Sequence, residues 1–176
     1  RELSTAAMRC GGCGAKVGAT MLSRVLDRLE PIRREDVLVG LDAPDDASVE
    51  SIPEGKLLVQ SVDSFRSMVD DPYLFGRITA NHCLSDLYAM GAAPRTALAV
   101  VAIPHGLEEK MEKQLEELLM GGVAVLNEGG AALVGGHTSE GAELTLGFTV
   151  TGTIDRDKIL CKAGLMPGDR IILTKP

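Results

Sequence analysis

The sequence predicts an α+β fold, a mixed β-sheet with helices packed on it. Three observations predict it. Short apolar segments alternate with amphipathic helical stretches along the chain. Thr96–Ile103 is a nearly unbroken apolar run, which suits a central strand covered on both faces. Leu144, Leu146, Phe148 and Val150 alternate with Thr145, Gly147, Thr149 and Thr151, a strand with one apolar face. That face needs a cover, and the strand is expected to be able to pair across an interface.

The elements follow in order. Residues 1–18 are small, polar and Gly-rich and are expected to form a flexible segment, with one domain over 19–176. From Thr20, the spacing of Met21, Leu22, Val25 and Leu29 predicts a helix that ends before Pro31. Val37-Leu38-Val39 reads as a strand. The turn-rich Asp42-Ala43-Pro44-Asp45-Asp46 follows, then a short strand near 47–50. Residues 56–62 read as a strand closed by Asp63. Asp71-Pro72 supplies a cap and a first-turn proline for a helix running to about Met90 and stopping at Gly91. Leu107, Met111, Leu115, Leu118, Leu119 and Leu126 mark a long amphipathic helix ending near Gly129-Gly130. Residues 131–134 read as a short strand that runs into a turn-like Gly135-Gly136-His137-Thr138-Ser139.

Composition narrows the function classes. In 176 residues, 45% hydrophobic, there is material for one well-cored domain. With 3 Phe, 2 Tyr and no Trp, that core is aliphatic. Lys and Arg total 18 against 25 acids, a net charge of −7, which argues against nucleic acid as partner and suits a protein that recruits cations. No apolar run approaches the roughly 20 residues that cross a bilayer, and the N-terminus lacks a signal-peptide pattern. The 4 Cys are unevenly spaced and read as reduced thiols of a cytoplasmic protein. Cys83 and Cys161 are expected in buried packing. The non-Met start, and an end just after the apolar Ile171-Ile172-Leu173, read as a buried strand, are expected of a piece of a longer protein.

Several groups are candidates for chemistry. Cys10-Gly11-Gly12-Cys13-Gly14-Ala15-Lys16 places a thiol and an amine three residues apart in flexible backbone, suited to a loop that closes over an anion; Lys16 near Cys13 favours the thiolate. Cys10 and Cys13 alone make half a zinc site. Asp45-Asp46 lies in a turn, where Asp is common for conformational reasons alone. Asp63 ends an apolar strand. Asp86 sits mid-helix, where Asp is a poor choice; it pairs with His82 one turn earlier or points at a metal. Carboxylates approach ATP only through metal ions, and Mg²⁺ favours carboxylates plus phosphates. Three separated Asp positions, in the Asp45-Asp46 turn, at Asp63 and at Asp86, are able to supply that bridge to a nucleotide. Gly135-Gly136-His137-Thr138-Ser139 is either a phosphate-binding turn or a plain one. No P-loop motif occurs.

Taken together, these motifs resemble the selenophosphate synthetase family, within the aminoimidazole ribonucleotide synthetase superfamily. The resemblance covers essentially the whole chain. It rests on Cys13-Gly14-Ala15-Lys16, Asp45-Asp46-Ala47-Ser48-Val49, Ser61-Val62-Asp63-Ser64-Phe65, Val69-Asp70-Asp71-Pro72-Tyr73, Leu84-Ser85-Asp86-Leu87-Tyr88-Ala89-Met90-Gly91 and Gly135-Gly136-His137-Thr138. It implies an N-terminal ATP-binding domain that makes selenophosphate from ATP, selenide and water, releasing AMP and phosphate.

In that family Cys13 is the reactive thiol and Lys16 its partner at the phosphates. Asp46 and Asp86 hold Mg²⁺, Asp63 contacts ATP or metal, and Ala43, Pro44 and Asp45 line the nucleotide. His137, Thr138 and Ser139 reach the ATP of a neighbouring subunit in a homodimer paired through its sheets. The resemblance also implies a C-terminal domain absent from this chain, without which the chain is expected to be inactive. Cys10 and His82 depart from the family pattern. The rival readings are a related ATP-dependent enzyme (thiamine monophosphate kinase, a hydrogenase maturation factor or a purine synthetase) and a non-catalytic metal- or thiol-binding module.

Overall fold

Residues 15–173 are described by the computed structural model, in which three helices and six strands alternate. Helix α1, Ala19–Leu26, buries Met21 and Val25. It stops earlier than the apolar spacing suggests, because the next amides bond tightly back, Arg28 N to Val25 O and Leu29 N to Leu26 O. Strands β1 (Val37–Val39) and β2 (Val49–Glu50) form a small antiparallel pair of their own.

The main sheet has four strands: β3 (Leu57–Arg66), β4 (Ala93–Pro104), β5 (Ala132–Gly141) and β6 (Thr145–Ile154). Their order is β3-β6-β4-β5. β6 runs antiparallel to both neighbours, whereas β4 and β5 are parallel, so the sheet is mixed. A parallel pair needs a crossover, and helix α3 (Glu108–Glu128) provides it. Helix α2 (Pro72–Ala89) starts where the sequence predicts, with Asp71 Oδ1 accepting from Leu74 N at 3.0 Å.

Both long helices lie on one face of the sheet, α2 over β3 and β6 and α3 over β4 and β5. Ala97, Ala99, Val101 and Ile103 of β4 and Leu146, Phe148, Val150 and Ile154 of β6 point into this core. The helices cross closely. A Cβ at Gly76 would meet Leu118 O at 2.0 Å and one at Gly121 would meet Tyr73 O at 2.0 Å, so only glycine admits this approach. On the other face, Leu58, Val62 and Val100 are exposed.

Four expectations about the main sheet change. β4 is interior but covered on one face only: its apolar run alternates between the core and the open side. β6 is also interior, with both edges paired, so it has no free edge to offer an interface. β3 continues past Asp63 to Arg66, because its register with β6 runs unbroken from Leu57↔Ile154 to Arg66↔Thr145. The Gly135–Ser139 segment is not a turn but part of β5, paired in parallel with 98–102 after a register shift. Gly136 makes that possible. Its φ is 154°, and a Cβ there would meet Ala99 O at 2.0 Å.

Ile171, Ile172 and Leu173 are exposed rather than buried in a strand. Among the described residues no helix is long and apolar enough to cross a membrane.

Candidate functional site

The candidate residues fall into two groups at opposite margins of the sheet. The first gathers around β5. Residues 40–48 connect β1 to β2 and bring Pro44, Asp45 and Asp46 to a cavity of 560 Å³, whose far wall is Gly135, Gly136, His137 and Thr138. Leu22, Leu26, Leu41 and Leu119 give it an apolar floor. Asp45 Oδ1 accepts from Asp46 N at 2.8 Å, which turns the first carboxylate onto the backbone. Ala43 lies at an adjoining cavity of 500 Å³ beside Arg33 and Asp42. Lys16 forms an antiparallel bridge to Ser139, and Val17 N donates to Thr138 O at 3.1 Å. The Lys16 backbone is thereby seated next to His137, Thr138 and Ser139, with Val17 buried. Ser139 Oγ donates to Val101 O at 3.4 Å, so its hydroxyl is directed back to β4.

The second group sits where α2 packs on the outer strand β3. Ser61 Oγ donates to Asp86 Oδ2 at 2.5 Å. His82 Nε2 lies 3.9 Å from Asp63 Oδ2, and its ring stands edge-on to Phe65 at 4.9 Å. Helical spacing puts His82 and Asp86 on one face, yet the structure pairs His82 with Asp63 and Asp86 with Ser61. Beneath them Cys83 is buried, its Sγ donating to Asp63 O at 3.6 Å, and burial pushes its thiol up to about 11. Cys161, expected in similar packing, is exposed.

Asp46 does not meet Asp63 and Asp86 within one chain. It lies on the β5 side, whereas they lie at the far edge strand, with β6 and β4 between. Among the described residues no three His, Cys, Asp or Glu side chains form a group able to hold a metal ion. Cys10 and Cys13 lie outside the described residues. Among the described residues Asp46, Asp63 and Asp86 have no Lys or Arg partner. Carboxylates left without protein counter-charge are an oxygen donor set that fits a hard divalent cation.

The sequence reading missed a buried polar cluster beside the first group. Arg95, at the head of β4, contacts Asp36 and Glu50, and Arg34 donates to both oxygens of Asp36. The Arg34 fork, with Arg95 beyond it, holds the Asp36 carboxyl below its ordinary range. A charged residue at the mouth of an apolar run was the one local sign of it.

Comparison with known proteins agrees with this architecture. The family model for AIR synthase related protein, N-terminal domain, matches residues 44–154. A selenide, water dikinase from Pelobacter propionicus is 46% identical over 173 residues, covering 98% of this chain and 49% of that protein. One from Clostridioides difficile (strain 630) is 43% identical over 178 residues, covering 99% of this chain and 49% of that protein. The chain thus spans about half the length of the curated relatives it matches. Among solved structures, thiamine-monophosphate kinase from Stenotrophomonas maltophilia K279a superimposes with a TM-score of 0.62 at 29% identity, over 80% of this chain and 42% of that one. Hydrogenase maturation protein HypE in complex with ATP shares the fold, with a TM-score of 0.53 at 23% identity over 65% of this chain and 35% of that one. With its mixed sheet, its two helices on one face and its paired Asp45-Asp46 loop, this chain belongs to the AIR synthase related protein, N-terminal domain family.

Proposed function

We propose that this chain is the nucleotide-binding part of a selenophosphate synthetase. The full-length protein converts ATP, selenide and water to selenophosphate, AMP and phosphate in the cytoplasm. The fold is shared with kinases and maturation factors, so it does not choose among them. What supports selenide is the 43–46% identity to selenide, water dikinases over nearly the whole chain.

The observation that carries the site is the separation of two uncompensated acidic groups to opposite margins of one sheet. In a homodimer joined through the open sheet faces, Asp63 and Asp86 of one copy come to the Asp46 cleft of the other. The exposed Leu58, Val62 and Val100 are the apolar surface that such a pairing buries. Asp46 and Asp86 hold Mg²⁺, with Asp63 at the ATP or the metal. Bound Mg²⁺ neutralises the triphosphate so that carboxylates tolerate it.

The chain's own residues do the remaining work. Ala43, Pro44 and Asp45 line the nucleotide, and His137, Thr138 and Ser139 reach the ATP shared with the neighbouring subunit. Lys16, seated beside Ser139, sets a positive charge against the ATP phosphates, and Cys13, three residues earlier, is the thiol that handles selenium. Residues 19–176 act as the ATP-binding and dimerisation domain. The segment beyond this chain completes the enzyme, so the isolated chain is inactive.

Phosphorus NMR of products from the full-length protein, with and without selenide, tests this reading. Selenophosphate, AMP and phosphate appearing only with selenide is the expected result. ADP as product, or turnover indifferent to selenide, overturns it.

A further inference from the structure

Arg95 is 4% exposed, the one buried charged residue among the described residues. Its guanidinium reaches Asp36 Oδ2 at 2.8 Å and Glu50 Oε2 at 3.3 Å, and donates to Ser51 O at 2.7 Å. These partners are the residue before β1, the last residue of β2 and the one after it. One side chain therefore grips both ends of the hairpin whose connection, 40–48, carries Asp45 and Asp46. Thr96 adds a second hold, its hydroxyl donating to Glu50 Oε1 at 2.9 Å. Arg34 closes the network through Asp36 and by donating to Gly130 O at 3.0 Å.

The hairpin has little else to fix it. Its strands have three and two residues and do not join the main sheet. Leu38 and Val49 are exposed, so it has only a small apolar anchor. An isolated two-stranded pair of this length is marginal in water. Two guanidiniums and two carboxylates balance in charge, and such a buried set gains little stability over apolar packing of equal volume. What it adds is direction: a planar fork holds its acceptors at fixed angles, whereas an apolar contact lets a short hairpin slide. The strand pair that carries the clamp, β4 with β5, also supplies the 135–138 wall of the Asp46 cavity.

We infer that Arg95 is a positioning residue for the nucleotide–metal loop, clamping Asp36 and Glu50 to the head of β4 so that Asp46 stands at a fixed distance from the 135–138 wall. This rests on the role proposed above for Asp46.

The test uses the full-length protein in five forms: wild type, Arg95→Lys, Arg95→Met, Asp46→Asn, and the triple variant Asp36→Asn/Glu50→Gln/Arg95→Met. The triple variant removes Arg95 together with both of its carboxylate partners, leaves Arg34 held by Gly130 O, and keeps the question open if Arg95→Met alone fails to fold. Two readouts are taken, amide hydrogen exchange without ligand and Mn²⁺ binding with ATP by electron paramagnetic resonance.

The expected result is faster exchange in 37–51 with 132–154 unchanged, in Arg95→Met or in the triple variant. Mn²⁺–ATP affinity falls about 10- to 100-fold alongside, and Arg95→Lys recovers part of both. Unchanged exchange in 37–51, or unchanged affinity while Asp46→Asn loses Mn²⁺, overturns the inference. So does exchange that rises throughout 132–154 in Arg95→Met and the triple variant alike, since Arg95 then holds the whole fold. If Asp46→Asn binds Mn²⁺–ATP as wild type does, the role of Asp46 fails, and positioning of the metal loop fails with it even where the exchange result shows a clamp.

Discussion

The Ser61 hydroxyl donates to the Asp86 carboxylate at 2.5 Å, tying the outer strand β3 to the last turn of helix α2. A carboxylate so held has one oxygen committed and its direction fixed. Asp63, two residues along the same face of β3, stands with its own oxygen toward His82.

Replacing either acid tests their role in catalysis. On the proposed reading Asp86→Asn and Asp63→Asn each lower kcat/KM of the full-length enzyme by about 100-fold or more. Ser61→Ala leaves both acids in place and frees only the orientation of Asp86, for a loss of about 10-fold. Steady-state kinetics at varied Mg²⁺ measure all three; an Asp86→Asn enzyme with wild-type kinetics removes Asp86 from the site.

Gly136→Ala tests the backbone of β5. The new Cβ would meet Ala99 O at 2.0 Å and Ala99 N at 2.8 Å, and both contacts are with backbone of the adjacent strand. With no flexible side chain to yield, β4 and β5 must separate locally, and the loss is about 2–4 kcal/mol. Urea denaturation measures it; a midpoint equal to wild type shows that the strands do not lie this close.

Glu112 is one carboxylate whose pairing should show in acid stability. Hydrogen bonds from Arg24, then Arg28, hold its carboxyl down to about 2 from an ordinary 4.5. The unfolded chain therefore takes up this proton first as pH falls. The contribution is present above the ordinary value and disappears as pH drops through about 2. Denaturant midpoints of wild type and Glu112→Gln should accordingly converge on acidification through that window. Parallel curves would mean that α1 is not held to α3 by this acid.

The two described cysteines should differ in reactivity. Burial raises the Cys83 thiol to about 11, whereas Cys161 is exposed. Iodoacetamide near neutral pH should label Cys161 in the native protein and Cys83 only after unfolding. Peptide mass mapping reads the outcome, and labelling of native Cys83 would show that α2 opens away from β3.

Local signals carried the long elements and failed where distant backbone decides. Asp71-Pro72 announces α2 because a cap and a first-turn proline act within one turn of themselves. The apolar spacing of α3 is legible for the same reason. Gly135-Gly136 reads as a turn in isolation; it is strand only because Ala99, some 37 residues earlier, lies too close to admit a side chain. Asp63 looks like a strand end, since a carboxylate is rare in mid-strand, yet ten paired residues of β6 carry β3 past it. Arg95 is legible only as a charge at the mouth of an apolar run, because its partners Asp36 and Glu50 sit at the two ends of a separate small hairpin. The acids were found individually, while their division between two margins depends on strand order, which no local pattern encodes.

That division has a genetic consequence. If each working centre draws Asp46 from one polypeptide and Asp86 from its mate, defects in the two are not equivalent copies of one lesion. Two dead mutants, Asp46→Asn and Asp86→Asn, when mixed and allowed to exchange subunits, regenerate one intact centre per heterodimer. Subunits shuffled at random should thus regain about a quarter of normal turnover, a revival that a centre contained in one polypeptide never shows.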